Sequence, residues 1–86
     1  MEKNITDIKI KIKEYIIGRY LKNASADLTD TTPLISGGII DSISTMQLIA
    51  FLEKEFHFEF QAYEVDRDNL DSIEIIAKFV LSKISG

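Results

Sequence analysis

The sequence predicts an all-α fold: a small four-helix bundle with a long loop between helices 1 and 2. Three observations predict it. Two stretches free of Gly and Pro, Asp41 to Phe56 and Asp71 to Ser85, repeat apolar residues at helical spacing, and Asn4 to Lys22 carries a third such stripe. Between the stripe that ends at Lys22 and the stretch that begins at Asp41, residues 23–41 gather Asn, Ser, Asp, Thr, Pro33 and the pair Gly37-Gly38, which are turn and loop residues. Finally, 86 residues with 45% hydrophobic content and a net charge of −4 suit one packed domain, 1–86, rather than a disordered chain.

The first helix has a competing reading. Ile8-Lys9-Ile10-Lys11-Ile12 alternates with period two, as a strand would, but Ile5, Ile8, Ile12, Tyr15, Ile16 and Tyr20 form one helical stripe. A stripe this long, with Gly18 as the one turn residue inside it, reads as a helix, with Asn4 or Thr6 as its cap. The loop that follows is long for so small a domain, and long loops in compact domains tend to be functional. Leu28, Leu34, Ile35, Ile39 and Ile40 supply apolar anchors, so the loop is expected to pack on the helices.

The second helix, from Asp41 to Phe56, separates into two apolar stripes. Leu48, Ile49, Leu52 and Phe56 read as its core face. Ile43, Met46 and Ala50 form a second stripe beginning beside Ser42, and two readings stand: a further core face against the loop, or an exposed patch for a partner. His57-Phe58-Glu59-Phe60 then reads as a short extended segment, and residues 64–69 hold at most a short helix. The last helix presents Ile73, Ile76, Ala77, Val80 and Leu81 on one face, with Asp71 and Glu74 spaced like a cap and its reciprocal carboxylate.

Charge and composition then exclude classes of function. Residues 1–26 carry six Lys/Arg against three Asp/Glu, whereas residues 27–86 carry four against eleven. An acidic main body argues against nucleic acid, which requires a basic surface to displace counterions. The N-terminal lysines read as the solvated side of a helix. The longest apolar run, Leu48 to Leu52, is far too short to cross a bilayer. The interleaved charges of the first residues do not read as a signal peptide, and the absence of Cys suits a reducing cytoplasm. Catalysis by this chain alone is also not expected. The single histidine, His57, falls about 20 Å from Ser42 at the other end of one helix, at 1.5 Å per residue, too far for a Ser–His pair. No metal-ligand spacing or phosphate-binding glycine loop is present.

The informative segment is Gly37-Gly38-Ile39-Ile40-Asp41-Ser42-Ile43. If Asp41 caps the helix, Ser42 is its first residue, with a hydroxyl that no backbone group requires. A phosphodiester on that hydroxyl would lie at the positive end of the helix dipole, although Asp41 beside it works against an anion. The chain supplies its own control, because Asp71-Ser72-Ile73 repeats the tripeptide without the Gly-Gly loop or the second stripe.

Leu34 to Phe56, LISGGIIDSISTMQLIAFLEKEF, resembles the modification segment of acyl and peptidyl carrier proteins, and the likeness runs over nearly the whole chain, including Asn69 to Val80 as the family's last helix. The resemblance implies a 4′-phosphopantetheine arm attached to Ser42, which would supply the thiol that this Cys-free chain lacks. It implies that Asp41 helps position the modifying enzyme's metal and cofactor, and that Ile43, Met46 and Ala50 form the docking patch. The implied partners are a phosphopantetheinyl transferase, an acyl- or aminoacyl-carrier ligase, and synthase or transferase enzymes serving a monomeric, cytoplasmic carrier. Ile43 stands where Leu is commonest, and Ser44, Gln47 and Lys54 make the second helix less acidic than in fatty-acid-synthesis carriers. That departure points to a specialised free-standing carrier of acyl or aminoacyl groups, in a fatty-acid, polyketide, peptide or envelope-modification setting. The reading from another class is an unmodified helical interaction module in which Ser42 is merely part of a cap.

Overall fold

The computed structural model describes residues 4–20 and 28–85. Lys22 and the first loop residues, 23–27, lie outside them. Among the described residues four helices follow in order: α1 (Ile5–Tyr20), α2 (Ser42–Phe56), α3 (Arg67–Leu70) and α4 (Ile73–Ser85), with a 3-10 turn at Ala62–Glu64. No strand occurs among the described residues. The fold is the small helical bundle of the acyl-carrier type.

In α1 the helical period prevails over the alternating one. Ile8, Ile12 and Ile16, each four apart, are fully buried, whereas Ile10 is 49% exposed. Asn4 caps the helix, its Oδ1 accepting the Asp7 N–H at 2.9 Å. The buried stripe of α1 packs mainly against α4, where Ile73, Ile76, Ala77 and Val80 are also fully buried. From α2, Leu48, Ile49, Leu52 and Phe56 join the same core. Burying each such side chain contributes roughly 1.5–3 kcal/mol.

The described part of the loop packs as the sequence predicts. Leu28, Leu34 and Ile40 are buried, with Ile35 and Ile39 packed partly against the core. Its backbone is tied to the start of α4: the Leu34 N–H donates to the Asp71 carbonyl at 2.7 Å, and the Glu74 N–H donates to the Asp30 carbonyl at 2.9 Å. The two glycines serve different needs. A Cβ on Gly37 would meet the Pro33 carbonyl oxygen at 2.3 Å, and Gly38 has φ +81°. Together they turn the chain into α2 directly above the core.

His57 ends α2 in the left-handed conformation at φ 57°. Residues 58–61 then have no regular secondary structure, and the Glu53 carboxylate accepts the Phe60 N–H at 2.8 Å. Phe58 and Phe60 pack with Phe79 of α4, the Phe60 and Phe79 rings stacking at 5.1 Å. Glu53 is thus a structural ligand of this segment as well as a surface charge on α2.

Candidate functional site

Asp41 caps α2, its Oδ1 accepting the Ser44 N–H at 2.8 Å. Its carbonyl accepts from the Thr45 N–H at 2.8 Å and from the Thr45 hydroxyl at 2.7 Å. The Ser44 N–H, then the Ser44 hydroxyl, hold the Asp41 carboxyl below its ordinary range despite a small opposing effect of burial. The carboxylate is therefore ionised and committed to the helix terminus.

Ser42 follows as the first helical residue. Its side chain is exposed, and no hydrogen bond ties its hydroxyl among the described residues. Beside it the second stripe faces solvent: Ile43 is 73% exposed, Met46 59%, and Ala50 is exposed. The stripe is therefore exposed and is not a further core face. Ser42 also stands on the wall of a cavity of about 600 Å³. The loop contributes Ile35 and Gly38 to that cavity, α2 contributes Met46, and α3 contributes Arg67 and Leu70.

The repeated tripeptide adopts another register. Ser72, not Asp71, caps α4: its Oγ accepts the Ile75 N–H at 3.1 Å. The expected Asp71–Glu74 capping pair is therefore corrected, and the reason is that Asp71 is used elsewhere. Its carboxylate accepts the Ile35 N–H at 2.8 Å, the Ser36 N–H at 2.9 Å and the Ser36 hydroxyl. Partial burial raises the Asp71 pKa, but the hydrogen bonds from Ser36 and Ile35 outweigh it, with Arg67 adding a favourable charge, so the carboxyl ends below its ordinary range. Ser72 is 6% exposed and Ile73 is fully buried. The hydroxyl of Ser72 is occupied and shielded where that of Ser42 is open.

Two features of the site escaped sequence reasoning. The Asp71–Ser36 staple joins residues 35 apart, and either residue of an Asp-Ser pair can cap a helix, so spacing alone could not assign the roles. Arg67 shares a cavity with Ser42 through the tertiary fold, which brings residues 25 apart in the chain to line one space.

The profile of the phosphopantetheine attachment-site family matches residues 14–80. The chain belongs to this family. It is a carrier domain of the acyl and peptidyl carrier kind, and its members hold 4′-phosphopantetheine covalently on a serine. A comparison with curated proteins as individual sequences finds no match. Both Asp-Ser-Ile tripeptides lie inside the matched span, so the choice between the two serines rests on their geometry. The residues at Ser42 fit the arm: an exposed hydroxyl without a partner among the described residues, helix N–H groups behind it, and an open cavity at its side.

Proposed function

We propose that Ser42 carries the 4′-phosphopantetheine arm and that the chain shuttles a thioester-linked acyl or aminoacyl group between enzymes without performing their chemistry. The observation that carries this reading is the contrast in hydroxyl access: Ser42 is exposed and unengaged among the described residues, whereas Ser72 is buried and caps a helix. Once attached, the arm supplies the thiol on which cargo is held. The chain's own part is positional. Asp41 holds the first turn of α2 so that Ser42 points outward, and the Asp71–Ser36 staple holds the loop that delivers Asp41. In modification the Ser42 hydroxyl gives its proton to a base of the transferase as Oγ bonds to the β-phosphorus of coenzyme A, and adenosine bisphosphate leaves. Ile43, Met46 and Ala50 form an apolar contact for the transferase, the loading ligase and the downstream synthase or transferase.

The neutral Ser44 and Gln47 on α2 support docking chiefly by apolar contact. The wider reading is a specialised cytoplasmic carrier of acyl groups in a fatty-acid, polyketide or related lipid setting, with aminoacyl cargo for a dedicated ligase as the alternative. No helix among the described residues is long and apolar enough to cross a membrane. The test is intact mass after incubation with coenzyme A and a phosphopantetheinyl transferase. The wild type and Ser72→Ala should gain one arm, and Ser42→Ala should fold but gain none. A gain retained by Ser42→Ala and lost by Ser72→Ala would reverse the assignment. No gain in any variant would favour the unmodified interaction module.

A further inference from the structure

The cavity beside Ser42 brings together charges that the sequence keeps far apart. Asp41 and Ser42 line it from the start of α2, and Asp66 and Arg67 line it from the start of α3. A phosphodiester on Ser42 would add a negative charge next to an Asp41 carboxylate already committed to its cap. The α2 N-terminus offers N–H groups, but Asp41 has taken the one on Ser44. An anion placed there needs a cation, and the cavity wall holds Arg67.

The other cations with described partners are engaged elsewhere. Lys9 pairs with Asp30 at 3.2 Å, Lys11 with Glu55 at 3.5 Å and Lys83 with Glu64 at 3.1 Å. Arg19 donates to Gln47 at 3.2 Å and lies over the Tyr15 ring. Arg67 is exposed and makes no ion pair among the described residues. The acids nearest to it are already occupied. Asp66 accepts the Asp68 N–H at 3.0 Å as the cap of α3, and Asp71 is filled by Ser36 and Ile35. The guanidinium therefore acts on Asp71 only through its charge, makes no ion pair among the described residues, and belongs to a residue that lines the same cavity as Ser42. Its planar fork of N–H groups suits two phosphate oxygens at once, which a lysine ammonium matches only as a point charge.

We propose that Arg67 binds the phosphodiester on Ser42 and so holds the base of the arm across the mouth of the cavity. This inference rests on the reading of Ser42 as the attachment residue. Arg67 is the residue that sets where the arm starts, and hence the direction in which it leaves the protein.

The experiment compares apo and holo protein by NMR, in the wild type, Arg67→Gln and Arg67→Lys, with intact mass recording modification in each. On conversion of the wild type, the Arg67 Nε–H resonance should shift and its hydrogen exchange should slow several-fold, while that of Arg19 stays in place. The phosphorus resonance of holo Arg67→Gln should move toward that of urea-denatured holo-protein, and Arg67→Lys should lie between. Because Arg67 is exposed, the apo variants should melt like the wild type. An unmoved Arg67 resonance, with the same phosphorus shift in wild type and Arg67→Gln, would overturn the proposal while leaving Ser42 modified. Arg67 substitutions that alter the transferase KM but neither resonance would also overturn it, assigning Arg67 to partner docking. Failure of the mass gain to map to Ser42 would instead remove the attachment reading, and this inference with it.

Discussion

Asp41-Ser42-Ile43 and Asp71-Ser72-Ile73 have identical side chains and opposite arrangements. In the first, the aspartate caps its helix and the serine and isoleucine face solvent; in the second, the serine caps, the isoleucine is fully buried and the aspartate grips a distant loop. A shift of one residue in the cap produces the whole difference. At α4 the loop N–H groups of Ile35 and Ser36 compete for the aspartate and leave the serine to cap. At α2 nothing among the described residues competes for Asp41, so it caps and Ser42 is released. A helix-start tripeptide thus becomes an attachment candidate by what its neighbours leave unused.

The strongest way to break this comparison is at the isoleucines. Ile73→Ala should cost about 2–5 kcal/mol by removing a buried side chain, whereas Ile43→Ala should stay within about 0.5 kcal/mol. Urea denaturation of both variants checks it, and equal costs would mean that the two helix starts are packed alike. Next comes the staple. Asp71→Ala should cost about 1–3 kcal/mol, because the loop N–H groups and the Ser36 hydroxyl lose a charged acceptor that is only partly buried. It should also slow modification of Ser42 by loosening the loop ahead of it, a rate readable by mass spectrometry. Wild-type modification kinetics in Asp71→Ala would show that the loop does not need this anchor.

Smaller effects sharpen the serine contrast. Ser72→Ala should cost about 1 kcal/mol as a lost N-cap, and Ser42→Ala less than about 0.5 kcal/mol, measured in the same denaturation series. The pH dependence follows from the carboxylates. Asp41 and Asp71 both titrate below their ordinary value of 3.8 in the folded chain. Their stabilisation is therefore complete above that value and is lost as pH falls through the lowered folded values. Asp71→Asn should flatten the acid limb of the stability curve; an unchanged limb would show that its hydrogen bonds do not favour the ionised form.

The last effect concerns docking. With Ile43 and Met46 exposed beside few charges, binding of a loading ligase should vary little with salt, since exposed pairs contribute about 0–1 kcal/mol each. Met46→Glu should weaken binding more than Lys54→Gln does. A steep salt dependence with the reverse order would make recognition electrostatic. Glu53 is a poor probe of this question, because its carboxylate also holds the Phe60 N–H.

Much of this was legible without coordinates. The stripe of Ile8, Ile12 and Ile16 overrode the alternating pattern around Ile10, because a strand would put Ile10 on the same face as the other three, whereas a helix turns it away from them. The core stripe of α2, the Asn4 cap and the turn at Gly37-Gly38 follow from equally local rules of periodicity, capping and backbone freedom. So did the Asp41-Ser42 arrangement, since a cap and its first helical residue are defined within three residues of chain.

What the chain's order could not express is competition between distant groups. Whether Asp71 or Ser72 caps α4 depends on donors 35 and 36 residues away, and no local spacing carries that information. Exposure of the Ile43–Met46 stripe depended on where the loop and α3 came to rest, because a helix with two apolar faces does not say which one the rest of the molecule will cover. Arg67 came to line the same cavity as Ser42 for the same reason. Local sequence determined the helices, the caps of α1 and α2 and the core faces; only the packing of those helices decided which residue caps α4, which serine stayed open and which cation shares its cavity.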